Sequence, residues 1–454
     1  MASPGRTSPG AAQVGFWMAT ALVVGNAIGS GIFLLPPALA PFGADNLPGW
    51  LLTAAGGLTL GLVFASLSRR VPGAGGPYVY TRAAFGDLPA FTVAWAYWIS
   101  IWVGNAAIGT SAVGYTGELV PWMVATPLNT ALSTLGFVWV LTLVNCIGIR
   151  AAGWVQGITT AIKLLPLVAA IGLLVWSAPP AGMAGATSSH FTLGGTASVA
   201  TLALWAMLGL ESATIPADKV KGAAATVERA TIVGTVVTVI LSAAGCAAVL
   251  LLVPGPALAA STAPFATLIG SAWGPGAARA VSLFAATSAV GALNGWILLQ
   301  GELPRAMAAD GLFLRAFGRT TARGTPVTGL VVTSGLVTVL VLLNVHRTLV
   351  GVFTFFVLLA TTASLAAYLA SSLALVRLRV RTGETGRRRA LTRGIIGSAG
   401  AVYAVGALAG AGAEAVLWGA VLLAAGVPIY FGLRRSAARA EGRDDGPGPI
   451  GSTV

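Results

Sequence analysis

The stretch Gly25-Asn26-Ala27-Ile28-Gly29-Ser30-Gly31-Ile32-Phe33-Leu34-Leu35-Pro36 lies inside the first long apolar run of the chain. Its centre, Gly29-Ser30-Gly31, places three small, helix-weak residues at mid-depth of a segment otherwise long enough to cross a membrane. Hydrocarbon offers no water to satisfy exposed backbone groups, so an unwound segment there is tolerated only where those groups face protein or a solvated cavity. Freed N–H and C=O groups pointing into a helical bundle can hold the charged ends of a small molecule. The same residues also suit a close helix–helix contact of the small-residue kind, and the segment alone leaves both readings open.

Composition sets the frame around this break. Hydrophobic residues make up 56% of the 454 and charged residues 9%, with a mean hydropathy of +0.85. These values belong to a polytopic membrane protein. Reading apolar runs of about 17–25 residues as spans yields twelve, near 15–40, 47–68, 88–114, 130–148, 153–176, 194–216, 229–253, 278–303, 326–345, 348–374, 394–411 and 414–433. Short tails, 1–14 and 434–454, flank them, and the residues from Ala437 onward read as polar and disordered. No cleavable signal peptide is evident.

The basic residues orient the map. With both termini on the cytoplasmic side, 23 of the 26 Lys and Arg residues fall inside, Arg279 and Arg347 fall outside, and Lys163 sits within a span. That asymmetry is a strong positive-inside signal, and it accounts for the net charge of +13 through anionic lipid headgroups. The basic loops lack interleaved aromatics, so nucleic acid is not an expected partner. Cys146 and Cys246 lie in spans as small packing residues. His190 and His346 stand alone in short outer loops, so neither a metal nor a cofactor is expected. There is no phosphate-cradling Gly-Lys-Ser/Thr loop to drive transport by nucleotide hydrolysis.

Among the 13 acidic residues, Glu211 is the one deep in a span, in Leu208-Gly209-Leu210-Glu211-Ser212 of the sixth. An ionised group at the bilayer centre costs at least about 2.5–3.5 kcal/mol, which makes such a residue a functional candidate. It suits a group that takes up and releases a proton, or a neutral carboxyl hydrogen-bonded between helices. Lys163, in the fifth span, either snorkels to an interface or is a buried ammonium standing where a sodium-coupled relative would bind Na⁺. On the third span Tyr97, Ile101, Asn105 and Ile108 recur at helical spacing, and Asn105 needs a partner in hydrocarbon, either another helix or a ligand. Trp205 and Leu208 precede Glu211 by six and three residues, which places them on its helical face. Trp296 sits at mid-depth of the eighth span, and aromatic faces can hold a cation.

These segments resemble the amino acid–polyamine–organocation transporters, and within them the basic amino acid/polyamine antiporter group, most closely its bacterial arginine/agmatine antiporters. The resemblance runs from about residue 14 to 435. It is carried by Gly29-Ser30-Gly31-Ile32-Phe33-Leu34-Leu35-Pro36, by Pro72-Gly73-Ala74-Gly75-Gly76-Pro77-Tyr78-Val79-Tyr80 leading to Ala84-Phe85-Gly86, and by Tyr97-Trp98 with Trp102-Val103-Gly104-Asn105. Leu208-Gly209-Leu210-Glu211-Ser212, Asn294-Gly295-Trp296, Ala309-Asp310-Gly311-Leu312-Phe313 and Gly324-Thr325-Pro326-Val327 complete it.

The resemblance implies an all-α fold of the leucine-transporter type. Residues 15–176 and 194–374 would be two inverted five-helix repeats with broken helices 1 and 6, and 394–433 would add two outer helices. It implies a substrate carboxylate on Ser30 and Gly31, an α-amino group on carbonyls near Ala27 and Trp205, and a side chain along Trp205, Leu208 and Trp296. The cationic end would lie near Asn105, beside Ser100, Ile101 and Ile108. Gates would involve Tyr97, Glu211 and Tyr368, with Glu211 sensing protons. A homodimer in the plasma membrane is implied as well.

Four positions depart from the antiporter pattern. Ser100 and Ile101 replace small residues, Ala360 replaces a hydroxyl, and Lys163 has no counterpart there but resembles proton-dependent, sodium-independent branches of the superfamily. The expected activity is exchange of a cationic amino acid such as arginine for its amine by alternating access, with proton-coupled uptake of a neutral amino acid as the alternative. A channel or receptor fits the paired midplane breaks less well. A membrane enzyme is disfavoured because the spans hold one carboxylate, no His and no metal cluster.

Overall fold

The computed structural model of the chain describes residues 15–28, 31–71, 76–147, 163–177, 190–211, 223–322, 324–381 and 387–444. Gly29, Ser30, the first half of the expected fifth span, Ser212 and the last ten residues lie outside them. The described residues are helical, with turns and short 3-10 segments between the helices. In chain order the helices are α1 Phe16–Ala27, α2 Leu35–Leu39, α3 Asn46–Arg70, α4 Pro77–Phe85, α5 Asp87–Gly117 and α6 Pro127–Ile147. Then come α7 Leu164–Trp176, α8 Leu193–Trp205, α9 Ala223–Leu252, α10 Gly255–Ala260, α11 Pro264–Trp273 and α12 Pro275–Ala309. The last four are α13 Val327–Leu343, α14 Leu349–Arg381, α15 Arg387–Gly410 and α16 Ala413–Asp444.

Eight helical stretches among the described residues are long and apolar enough to cross a membrane, and α1, α7, α8 and α13 are shorter apolar helices. The protein is therefore multi-pass. The first apolar run is not one helix: α1 stops at Ala27 and the chain turns through Gly31–Leu34 before α2 begins. The sixth likewise stops at Trp205 and continues in turns to Glu211. Two features depart from the hydropathy reading. The link between the seventh and eighth runs folds into α10 and α11, each opened by a proline in its first turn, where a missing N–H costs nothing. At the other end, α16 continues past residue 434 to Asp444, because Ala, Arg and Glu favour helix even where the chain is no longer apolar.

Burial distinguishes the centre from the rim. In α5, 94% of the apolar window is buried, whereas in α16 the value is 17%. Helix α5 packs on α14 and α12, while α3 and α1 pack on α9. A chain of side-chain amides and hydroxyls crosses this centre. Asn105 Nδ2 donates to Gln300 Oε1 at 2.7 Å, Gln300 Nε2 donates to Ser334 Oγ at 2.8 Å, and Ser334 Oγ lies 2.7 Å from Thr142 Oγ1. Nearby, Asn145 Nδ2 donates to Asn294 Oδ1 at 2.8 Å. Polar side chains between apolar helices join them because hydrocarbon offers no other partner, so this network fixes α5, α6, α12 and α13 to one another.

The entry to α8 is held differently. Asp45 is 3% exposed. It accepts the Thr192 backbone N–H at 2.7 Å, the Thr192 hydroxyl at 2.9 Å and the Thr196 hydroxyl at 3.2 Å. A carboxylate at a helix N-terminus meets the free N–H groups and the positive end of the helix dipole. This staple ties the turn before α3 to the start of the broken sixth run. Asp45→Ala should lower stability by about 1–3 kcal/mol, the range for orphaned buried donors, read as a lower thermal unfolding midpoint in detergent. Asp45→Asn, which keeps one acceptor oxygen, should lose less.

Candidate functional site

The two broken runs meet. Gly209, in the turns after α8, has φ +106°, a conformation that side-chain-bearing residues rarely adopt. A Cβ there would stand 3.2 Å from the Ala27 nitrogen and the Asn26 carbonyl carbon. On the other side of the contact, a Cβ on Gly31 would stand 2.4 Å from Trp205 Nε1. Each break is thus backed by the other, with Trp205 lying over the first.

Between them lies a small cavity lined by Asn26, Ala27, Gly31, Ser100, Gly104, Ile108, Trp205, Leu208 and Trp296. About 20 Å³ is open to water centres, roughly one or two waters. This conformation is therefore closed around its centre, and a larger guest requires Trp205 or the breaks to move. On the α5 wall, Ser100, Gly104 and Ile108 follow at four-residue steps over about 12 Å, at 1.5 Å per residue. Among the described residues the buried Trp205 indole N–H meets no acceptor.

Next along α5 from the cavity wall, an acid is held by two phenols. Glu211 is fully buried. The Tyr97 hydroxyl donates to its Oε1 at 2.6 Å and the Tyr368 hydroxyl to its Oε2 at 2.7 Å. One helical turn further along both helices, Ser100 Oγ and Ser364 Oγ lie 2.5 Å apart. Tyr368 also packs edge-on against Phe64, with ring centroids 5.2 Å apart. The arrangement joins α5, α14 and the turns after α8 through a single carboxylate.

Most of the residues singled out in the sequence lie here. Ala27, Gly31, Ser100, Ile108, Trp205, Leu208 and Trp296 line the cavity, while Tyr97, Glu211 and Tyr368 meet in one hydrogen-bonded cluster. Ser30 falls outside the described residues. Ile101 and Asn105 are buried but do not line the cavity. The stripe facing it runs through Ser100, Gly104 and Ile108, and Asn105 finds its partner in Gln300 on another helix. Glu211 does not share a helical face with Trp205, because α8 ends at Trp205 and Gly209 turns the chain. Two residues were not anticipated. Asn26, just before the break, lines the cavity. Gln300, at the heart of the polar network, was legible as an amide within an apolar run that must find a partner.

Lys163 stands just before α7, 1% exposed, and its ammonium donates to the Gly25 carbonyl in the last turn of α1. It therefore does not snorkel to an interface. Instead it ties α7 to the backbone immediately before the first break.

The putrescine transporter PotE of Escherichia coli (strain K12) is 30% identical over 426 residues, covering 92% of this chain and 95% of that protein. The cadaverine/lysine antiporter of the same strain is 34% identical over 343 residues, covering 73% and 75%. A Bacillus subtilis (strain 168) chain whose name proposes arginine/ornithine antiport is 32% identical over 404 residues, covering 82% and 85%. Among solved structures, a manganese transporter mutant of Eremococcus coleocola aligns with a TM-score of 0.54 at 13% identity, covering 93% of this chain and 94% of that one. At that identity the likeness speaks for the fold alone. The model of the amino acid permease family matches residues 14–433, and with its broken helices and apolar spans this chain is a multi-pass membrane protein belonging to that family.

Proposed function

We propose that this chain exchanges a cationic amino acid for an amine across the plasma membrane by alternating access, with arginine and its decarboxylated product as the first pair to test. The observation that carries the reading is the closed cavity between two broken helices, lined by Trp205 and Trp296, with the cluster of Tyr97, Glu211 and Tyr368 next along α5 from its wall. Relatives named for polyamines and basic amino acids support the substrate class. In this reading the carboxylate meets Ser30 and Gly31, the amino group meets carbonyls near Ala27 and Trp205, and the side chain runs along Leu208 and Trp296. The cationic end lies toward the part of α5 that carries Asn105, itself held by Gln300. Twelve spans, in repeats at 15–176 and 194–374 with two further helices at 394–433, keep the tails 1–14 and 434–454 in the cytoplasm.

Counterflow in liposomes tests this directly. Vesicles loaded with unlabelled arginine or agmatine should accumulate labelled arginine, and empty vesicles should not. If neutral amino acids drive counterflow while arginine and diamines never compete, the cationic assignment fails and the permease reading stands. Within the cationic reading, Trp296→Ala should weaken arginine binding by about 0.5–2 kcal/mol through loss of a cation–π contact, measured by calorimetry.

Glu211 is the proposed proton-sensing group of the gate. Glu211→Gln keeps the size and the hydrogen-bonding capacity toward Tyr97 and Tyr368 but cannot titrate. Substrate should still bind, while the pH dependence of turnover flattens where the wild type changes. A wild-type pH profile in this variant would make Glu211 structural.

The contact of Lys163 with Gly25 favours a second reading, proton-coupled uptake of a neutral amino acid without sodium. An ammonium holding the backbone before the break occupies the role a cation would otherwise fill. Uptake should then be unaffected by replacing sodium with choline, and Lys163→Ala should abolish it. Stimulation by sodium would overturn the role assigned to this lysine.

A further inference from the structure

On the far side of α5 from the substrate cavity lies a second recess of about 640 Å³, between α5, α13, α14 and α16. Its floor is formed by Trp95, Trp98 and Trp102, which are 8%, 4% and 6% exposed, so it is a groove reaching into the core rather than a flat lipid-facing surface. Its walls are apolar, with Leu340 on α13 and Leu422 on α16. Along α16 it runs from Glu414 to Ala425, which is about 16 Å at the helical rise. That is about half of the ~30 Å hydrocarbon core, the depth of one leaflet.

The mouth is polar and lies where helices end. Arg347, in the turn between α13 and α14, pairs with Glu414 in the first turn of α16, and its guanidinium lies 4.4 Å from the Phe355 ring centroid. The Arg347 and Glu414 side chains keep 28% and 54% of their surface exposed. A fixed cation and a fixed anion side by side, at the interface end of a one-leaflet apolar groove, match a molecule with the same three parts. The chain fills the groove, a phosphate faces Arg347, and an ammonium faces Glu414.

We propose that this groove is a phospholipid site selective for a head group bearing a primary ammonium, with one acyl chain lying against Trp95, Trp98 and Trp102. A purely anionic head group meets Glu414 as a like charge. A quaternary ammonium cannot donate hydrogen bonds to it. The floor of the groove is the back of the helix that presents Ser100, Gly104 and Ile108 to the substrate cavity, so the bound chain buttresses α5.

Native mass spectrometry of the delipidated full-length protein, titrated separately with phosphatidylethanolamine, phosphatidylcholine and phosphatidylglycerol, tests the site. The wild type should retain phosphatidylethanolamine in preference to the other two. Leu340→Trp and Ala425→Phe fill the groove from opposite walls, and each should lose the bound lipid while keeping the wild-type oligomeric state. Glu414→Gln, which leaves the groove open, should lose the preference for phosphatidylethanolamine over phosphatidylglycerol. The proposal is overturned if the wild type binds none of the three lipids, or if the filled variants retain the lipid. It is equally overturned if filling the groove dissociates a dimer, since a second copy of the chain would then be its occupant. If neither filled variant folds, an unchanged preference in Glu414→Gln overturns the head-group assignment.

Discussion

The cavity at the centre of the bundle follows from the cost of unpaired backbone in hydrocarbon. A helix that stops at mid-depth must hand its released groups to protein, water or a guest. Here two helices stop, after Ala27 and after Trp205, and each lies against the other: Gly209 presses on the backbone of Asn26 and Ala27, and Trp205 lies over Gly31. The cavity is what remains between them. Its walls combine helical residues of α1, α5, α8 and α12 with Gly31 and Leu208 from the turns.

The surrounding polar residues divide into two kinds of constraint. Asn105, Gln300, Ser334 and Thr142 satisfy one another across four helices and hold one side of the bundle together. The Glu211 carboxyl draws one phenol from α5 and another from α14 onto the turns after α8. The first network uses neutral amides and hydroxyls, whose hydrogen bonds do not depend on protonation. The second depends on an acid, so its strength can follow proton occupancy. Lys163 adds a third tie, from the start of α7 to the carbonyl of Gly25. A rigid scaffold thereby carries two charged fasteners, both directed at the broken segments.

The electrostatic economy of the chain supports the same division. Of its thirteen acidic residues, Glu211 is buried between two phenols, and several others meet basic partners near helix ends, as Asp87 does with Arg82 and Arg434 and as Glu228 does with Arg69. Exposed pairs of this kind contribute little to stability, but they keep charge out of the hydrocarbon. Glu211 is a buried acid placed where three chain segments converge.

By itself the sequence determined the class of the protein, the places where its helices break and the short set of residues around the cavity. Those features rest on local chemistry: apolar runs of membrane length, small residues at mid-depth, and rare polar groups that hydrocarbon penalises. Tertiary structure decided what each polar group faces. Asn105 was legible as needing a partner, but only the packing of α5 against α12 made that partner Gln300 rather than the cavity. Helical spacing placed Glu211 on the face of Trp205 and Leu208, and the left-handed turn at Gly209 sent it to Tyr97 and Tyr368 instead. Lys163 carried two readings until the approach of α7 to α1 buried its ammonium on the Gly25 carbonyl. Period and composition act within one segment, whereas the pairing of a buried polar group depends on which distant segment arrives beside it, and that is set by the packing of the whole bundle.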